Sequence, residues 1–369
     1  MPPLRQCRRG ALAIVFLRAD AQSSCARRRG PPRDVAGAGP VARGVIFMSA
    51  IRKGAVALAL AMLLAGPALA QSYPSNRIRI IVPFGAGGPA DIYARVIAHH
   101  LSQTLNQSFV IENRPGGGAV IGTTEAAKAA PDGYTLLMMS NTHTANETLI
   151  PKKNYALMKD LVPVAPVNYS DLVIVVHPSV PAKTLAEFIA LAKAKPGDLN
   201  YASSGPGTPY HLAGENFKST SGTSIVHVPH RGSGEARSNV IGGHVQMMMD
   251  AVTTMAPTIE AGQVTALATT GPVRSSVLPN VPTAAEAGLP GFEATIWLGI
   301  MAPAGTPQPI VDLLNAEIAK VVALPEVKDA WTKQGATAMK MSPAEFKAYL
   351  EADIVKWAKV IDTAKITVK

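Results

Sequence analysis

Cysteine is nearly absent from this sequence. Its 369 residues hold two, Cys7 and Cys25, both in an N-terminal stretch with no credible folding pattern. The rest of the chain therefore has no disulfide, no thiol nucleophile and no thiolate to hold a metal. It suits an oxidising compartment without depending on one. Long hydrophobic runs are missing too. Gly54–Gly66 is apolar over 13 residues, too short to span a bilayer, and no later segment reaches that length without polar interruption. The signatures G-x-S-x-G, H-E-x-x-H and G-x-x-x-x-G-K-[ST] do not occur. Eight histidines are present, but no carboxylate stands at metal-binding spacing from any close pair, so neither a metal nor another cofactor is expected. Ser203 and His211 lie close in sequence, yet no third residue is placed to complete a nucleophilic set.

An excess of one charge is also missing, once the leader is set aside. The whole chain carries 35 Lys+Arg against 25 Asp+Glu, a formal charge of +10. Residues 1–70 hold 11 of those bases and 2 of those acids, so residues 71–369 carry 24 against 23, or +1. The basic character that would suggest nucleic acid goes with the leader.

That leader has an identifiable part. Met48 opens a secretory signal: Arg52 and Lys53 precede the apolar run, and Pro67-Ala68-Leu69-Ala70 ends in a small-x-small pattern. Cleavage is expected between Ala70 and Gln71. Residues 1–47 are expected to be a non-folded leader upstream of the true start at Met48.

The remainder is organised around Ile78–Leu105. Ile78, Ile80, Ile81 and Val82 predict a strand buried on both faces. Gly85, Gly87 and Gly88 predict a tight turn, and Ile92, Val96, Ile97, Leu101 and Leu105 a helix with one apolar face. Strand, glycine turn and helix together point backbone N–H groups and a positive dipole end at an anion. The alternation continues, with expected strands at 109–112, 134–139, 172–176, 199–202, 225–228, 245–249, 264–269 and 292–301. Thr184-x-x-Glu187, Thr283-x-x-Glu286 and Ser342-x-x-Glu345 are capping boxes. Repeated βα units predict an α/β protein with two lobes and a ligand between them.

Two turns are candidate sites. Gly85-x-Gly87-x-x-Ala90, with Glu112 ending the next strand, fits the dinucleotide fingerprint. Against that reading, Pro83 and Phe84 intervene between the strand and the first glycine, Pro89 stiffens the turn, and an exported protein is not normally supplied with soluble NAD. Asp91, at the helix start, is expected to cap backbone N–H groups, with ligand contact as the alternative. The second turn, Ser203-Ser204-Gly205-Pro206-Gly207-Thr208, offers hydroxyls and another helix N-terminus, donors suited to a carboxylate. Asp250 ends a strand and is a further cleft candidate.

Several blocks resemble the Bug family, the periplasmic solute-binding proteins of tripartite tricarboxylate transporters. They are Val82-Pro83-Phe84-x-x-Gly87-Gly88-x-x-Asp91, Glu112-Asn113-Arg114-Pro115-Gly116, Ala130-Pro131-Asp132-Gly133-Tyr134, Tyr201-Ala202-Ser203-Ser204-Gly205-x-Gly207-Thr208-x-x-His211, Val228-Pro229-x-Arg231-Gly232, Leu278-Pro279-Asn280-Val281-Pro282 and Ala302-Pro303-Ala304-Gly305-Thr306. The resemblance spans essentially 72–369. It implies a type II periplasmic-binding-protein fold with two lobes joined by crossing strands; lobe I is expected at 72–176 plus 297–369 and lobe II at 177–296, with a hinge near His177 and Trp297. It implies a non-enzymatic, monomeric carrier of a small mono-, di- or tricarboxylate or amino acid, serving a membrane permease. It implies a carboxylate held between the Phe84–Asp91 and Ser203–Thr208 loops, and the full expected ligand set is Phe84, Gly85, Ala86, Gly88, Asp91, Thr142, His143, Ser203, Ser204, Gly205, Thr208, His211 and, from its place at a strand end, Asp250. A sensing subunit for a membrane signalling partner and a secreted carboxylate-processing enzyme are the alternatives. The chain departs from the family at Ala90, where Ser or Thr is usual, at His230 and Glu235, and after Thr142-His143.

Overall fold

The computed structural model describes residues 73–363 and 365–368. The expected leader, signal and cleavage point lie outside the described residues. The opening unit is as expected: β1 (Ile78–Val82) runs into a glycine turn and then α1 (Pro89–Thr104). Ile78, Ile80, Ile81 and Val82 are all fully buried. Next come β2 (Phe109–Asn113), α2 (Val120–Ala127), β3 (Thr135–Ser140), α3 (Asn141–Leu149), the single turn α4 (Leu157–Asp160) and β4 (Leu161–Val176). The chain continues through α5 (Leu185–Ala194), β5 (Asn200–Ser203), α6 (Pro209–Ser221), β6 (Val226–Pro229), α7 (Ser233–Ile241), β7 (Met247–Ala251), α8 (Val252–Glu260) and β8 (Thr265–Thr269). It ends with β9 (Thr295–Pro303), α9 (Gln308–Ala323), α10 (Pro325–Lys333), β10 (Ala336–Ala338) and α11 (Pro343–Thr363).

β4 connects the two halves of the sheet system. Residues 161–171 pair antiparallel with β9, which pairs in turn with β3. Residues 172–176 pair with β7 on one side and β8 on the other. One half is thus β2-β1-β3-β9-β4 and the other β4-β7-β5-β6. The β1 and β5 ladders are parallel and the rest antiparallel, a mixed α/β, two-lobed fold.

Two differences from the sequence expectation have physical causes. β4 begins at Leu161, well before the expected Leu172. Pro163 and Pro166 read as breakers, but they sit at register shifts in the pairing with β9, where a missing N–H is tolerated. At Thr283 both capping-box bonds form, Glu286 N–H to Thr283 Oγ1 at 3.2 Å and Thr283 N–H to Glu286 Oε2 at 2.8 Å. No helix follows, because Gly288 adopts φ +91° and Pro290 comes two residues later.

The crossing between the halves is clasped by Thr270. Its Oγ1 accepts Leu172 N–H at 2.9 Å, and its hydroxyl faces the carbonyls of Leu172 and Ala294. One side chain thereby ties β4 to the strand entry before β9.

Candidate functional site

The β1–α1 turn and the β5–α6 turn belong to different halves of the molecule and face each other across a cleft of about 340 Å³, part of it open to solvent. The two walls meet through glycine. A Cβ built on Gly85 would stand 3.2 Å from Gly232 Cα, and one on Gly232 would stand 3.1 Å from Gly85 Cα. One on Gly118 would fall 2.5 Å from Pro206 O, and one on Gly207 2.8 Å from Asn146 Oδ1. Side chains at these positions would hold the walls apart.

Four helices begin at this cleft. Gly88 and Pro89 open α1, Ser140 caps α3, Pro209 opens α6, and Gly232 caps α7. All of these residues line it. The N–H groups of Gly85, Ala86, Gly88, Ala90 and Ser204 have no protein acceptor among the described backbone hydrogen bonds. None of the described residues lining the cleft carries a charge, and Phe84, Ile296 and Leu298 make its apolar floor. Four positive dipole ends and unclaimed amides, in a cleft whose described lining has no basic side chain, are features that favour an anion.

Of the expected ligand set, Phe84, Gly85, Gly88 and Ser204 line this cleft. Ala86 stands exposed on the turn. The others form the layer behind it. Asp91 Oδ2 accepts Gly87 N–H at 3.0 Å and its carboxylate pairs with Arg95 at 2.8 Å. Burial works to raise the Asp91 pKa, but Arg95 and the Gly87 amide together hold it below the usual range. It caps the turn, and its charge is already matched.

His143 is also committed to structure. Ser140 N–H donates to its Nδ1 at 3.1 Å. Its Nε2 lies 2.9 Å from Thr123 Oγ1, whose own proton goes to Ala119 O, so Nε2 carries the ring proton. Burial pushes the His143 pKa down to about 4, leaving a neutral ring, and Phe84 packs edge-on against it at 5.9 Å. Thr142 is fully buried at the start of α3, and its Oγ1 has no protein partner.

Behind the second turn, Ser203 Oγ accepts Gly205 N–H at 3.1 Å and lies 2.6 Å from His227 Nε2. Thr208 Oγ1 donates to Gly205 O at 2.7 Å, and His211 Nδ1 accepts Gly207 N–H at 3.1 Å. His227 stacks between His211 and Tyr201, with ring centroids 4.2 and 4.9 Å away. Burial, with the neighbouring His211 and Lys218, pushes the His227 pKa down to about 3. The Ser203–His227 contact has the reach of a nucleophile and base. Yet Ser203 is fully buried, its hydroxyl is already shared among Gly205 and His227, and no carboxylate orients the ring among the described hydrogen bonds. It stiffens the turn. Asp250 is fully buried on β7 and bound by Arg237 at 3.0 Å; burial raises its pKa against the pull of that guanidinium.

Sequence reasoning missed Ser140, Tyr210, Gly232 and Ser233, all of which line the cleft. Tyr210 has a buried hydroxyl with no completed hydrogen bond. Burial and the nearby Asp250 charge push its pKa well up, so it is a neutral donor. Pro209-Tyr210 and Gly232-Ser233 each open a helix, and that start signal was the available clue.

The family model described as "Tripartite tricarboxylate transporter family receptor" matches residues 93–366. Protein BugT of Bordetella pertussis is 38% identical over 300 residues, 81% of this chain and 92% of BugT. Among solved structures, R. palustris Rpa4515 with adipate superposes with a TM-score of 0.78 at 34% identity, covering 80% of this chain and 99% of that one. MatC from Rhodopseudomonas palustris with bound malate gives 0.75 at 33%, covering 78% and 100%. The structure of periplasmic binding protein BugD superposes with a TM-score of 0.78 at 31% identity, covering 80% of this chain and 100% of that one.

Proposed function

The chain belongs to the tripartite tricarboxylate transporter receptor family, and from that premise we propose that it is exported to the periplasm, closes on a small organic carboxylate and hands it to a membrane permease. The observation that carries the ligand class is the convergence of four helix N-termini on a cleft with no charged lining. A carboxylate accepts several amide and hydroxyl donors at once, and the helix ends supply the favourable field. Ser140, Ser204 and Ser233 are the polar side chains placed to read it. The solved relatives with adipate and malate support a dicarboxylate of four to six carbons.

The lobes divide within the crossing strands. β4 changes partners between Asp171 and Leu172, and the return crossing falls at Ala294–Thr295. A hinge at these points, rather than at His177 and Trp297, lets Gly85 and Gly232 separate to admit ligand.

Thermal melting tests this. Protein unfolded and refolded to strip carried-over ligand is melted with adipate, malate, citrate, aspartate and NAD. A ligand at a hundred times its Kd stabilises by about 2.7 kcal/mol. A raised midpoint with one acid class is the expected result, and a rise with NAD alone would refute the carboxylate reading.

A further inference from the structure

A second cavity lies behind the cleft, on the opposite face of β9. Side chains alternate along a strand: Ile296 and Leu298 line the front cleft, while Thr295 and Trp297 line the rear cavity. The rear space measures about 660 Å³, part of it open to solvent. α6 walls it on one side and Tyr349, Asp353 and Trp357 of α11 on the other, with Asn141 at the start of α3.

Its polar groups are answered only in part, the Trp297 and Trp357 indole N–H groups lying toward the Asp353 carboxylate without completing a hydrogen bond. Asn141 is 2% exposed; its Nδ2 donates to Thr295 O at 3.0 Å, which fixes the amide and leaves Oδ1 without a partner. Trp297 is also 2% exposed, and its indole N–H completes no hydrogen bond. The Trp357 indole N–H likewise completes none. Asp353 is 7% exposed and accepts one hydrogen bond, from Thr144 Oγ1 at 2.6 Å. Among the described ion pairs it has no partner. Burial raises its pKa, while Thr144, the charge of Lys356 and the nearby indoles oppose the rise. Lys356 and Glu293 are both exposed lining residues of opposite sign, so Asp353 sets the net charge. A buried carboxylate without a counter-ion is costly, and Trp297, Tyr349 and Trp357 line the same space with apolar ring surface.

We propose that the rear cavity is a binding site for a small organic ammonium ion, with its N–H donors on Asp353 and Asn141 Oδ1 and its carbon chain against Trp297, Tyr349 and Trp357. The same Asp353 excludes the carboxylates that suit the front cleft. The two sites therefore sort ligands of opposite charge.

The chain has three tryptophans, which makes the test selective. Trp331 is buried against Tyr93, with ring centroids 5.1 Å apart, and does not line the cavity. Indole N–H signals of uniformly ¹⁵N-labelled protein are followed while n-butylammonium chloride is titrated in. Sodium butyrate and n-butanol serve as size-matched controls, and Trp331→Phe and Trp357→Phe assign the signals. The expected result is a saturable shift of the Trp297 and Trp357 signals with butylammonium alone, while Trp331 stays still. Asp353→Asn should weaken the response about tenfold or more, since a charge-assisted hydrogen bond is lost. An equal response to butanol, a butyrate response, or no saturable shift up to the solubility limit overturns the proposal. Those three comparisons use the unaltered protein, so they decide even if Asp353→Asn fails to fold.

Discussion

Gly85 and Gly232 face each other across the cleft, and what they lack determines how far it closes. Neither has a positive φ; Gly232 is extended at φ −173°. Alanine therefore fits the backbone at both, and in the open form it should leave stability unchanged or raise it by about 0.4–1 kcal/mol. In the closed form the new methyl presses on backbone at 3.1–3.2 Å. Gly85→Ala and Gly232→Ala should each lower carboxylate affinity about tenfold with no loss of ligand-free Tm, a split that calorimetry and melting together would reveal. His143 gives a pH prediction. Its folded pKa is about 4, below the ordinary 6.5 of an unfolded histidine. Its contribution is full above pH 6.5 and is lost as pH falls toward 4, because the unfolded chain takes up the proton first. The loss from this one residue is on the order of 3 kcal/mol, and His227 adds to it with the same sign. Denaturant midpoints measured from pH 7 to pH 4 should fall steadily, and His143→Gln should flatten the slope. At this scale the sequence was only partly legible. Turn chemistry exposed Gly85, Gly88 and Ser204, whereas Asp91, Ser203 and His211 looked the same on paper as the residues that line the cleft. What separates them is the hydrogen bonds that already occupy their side chains.

At the scale of elements, the proposed reading has helix ends do the work that arginine does in many anion sites. An acid placed in the first turn of a helix stabilises that helix, but here it would also face the ligand. Ala90 is buried beside the cleft, so in α1 the cost of desolvating the new carboxylate outweighs that gain: Ala90→Asp should lower the melting temperature and reduce carboxylate affinity by about tenfold or more. A neutral Ala90→Ser should bind at least as well as the parent. The helix starts were readable, because proline at the first position and capping boxes are local signals. β4 was not readable over its first half: Pro163 and Pro166 break the local pattern, and only pairing with β9 shows that they fall at register shifts. Thr270 was silent for the same reason, since its partners Leu172 and Ala294 are distant in sequence. Thr270→Val keeps the shape and removes the hydroxyl, leaving Leu172 N–H unmet. It should cost about 1–3 kcal/mol in denaturant unfolding and speed amide exchange at Leu172.

For the whole molecule, two sheets share one long strand, so the two cleft walls are joined through the same few residues. The two-lobed plan was legible from repeated βα units, whereas the position of the crossing emerged only from strand pairing. Binding between the lobes without a charged side chain is the central claim. Titration calorimetry of the refolded, stripped protein with adipate, and with hexane-1,6-diol as its uncharged twin, tests that claim most directly. Saturable binding of adipate with one site per chain, and none of the diol, is the expected result. Binding of the diol as tightly as adipate, or of neither adipate nor malate while NAD binds, would contradict it.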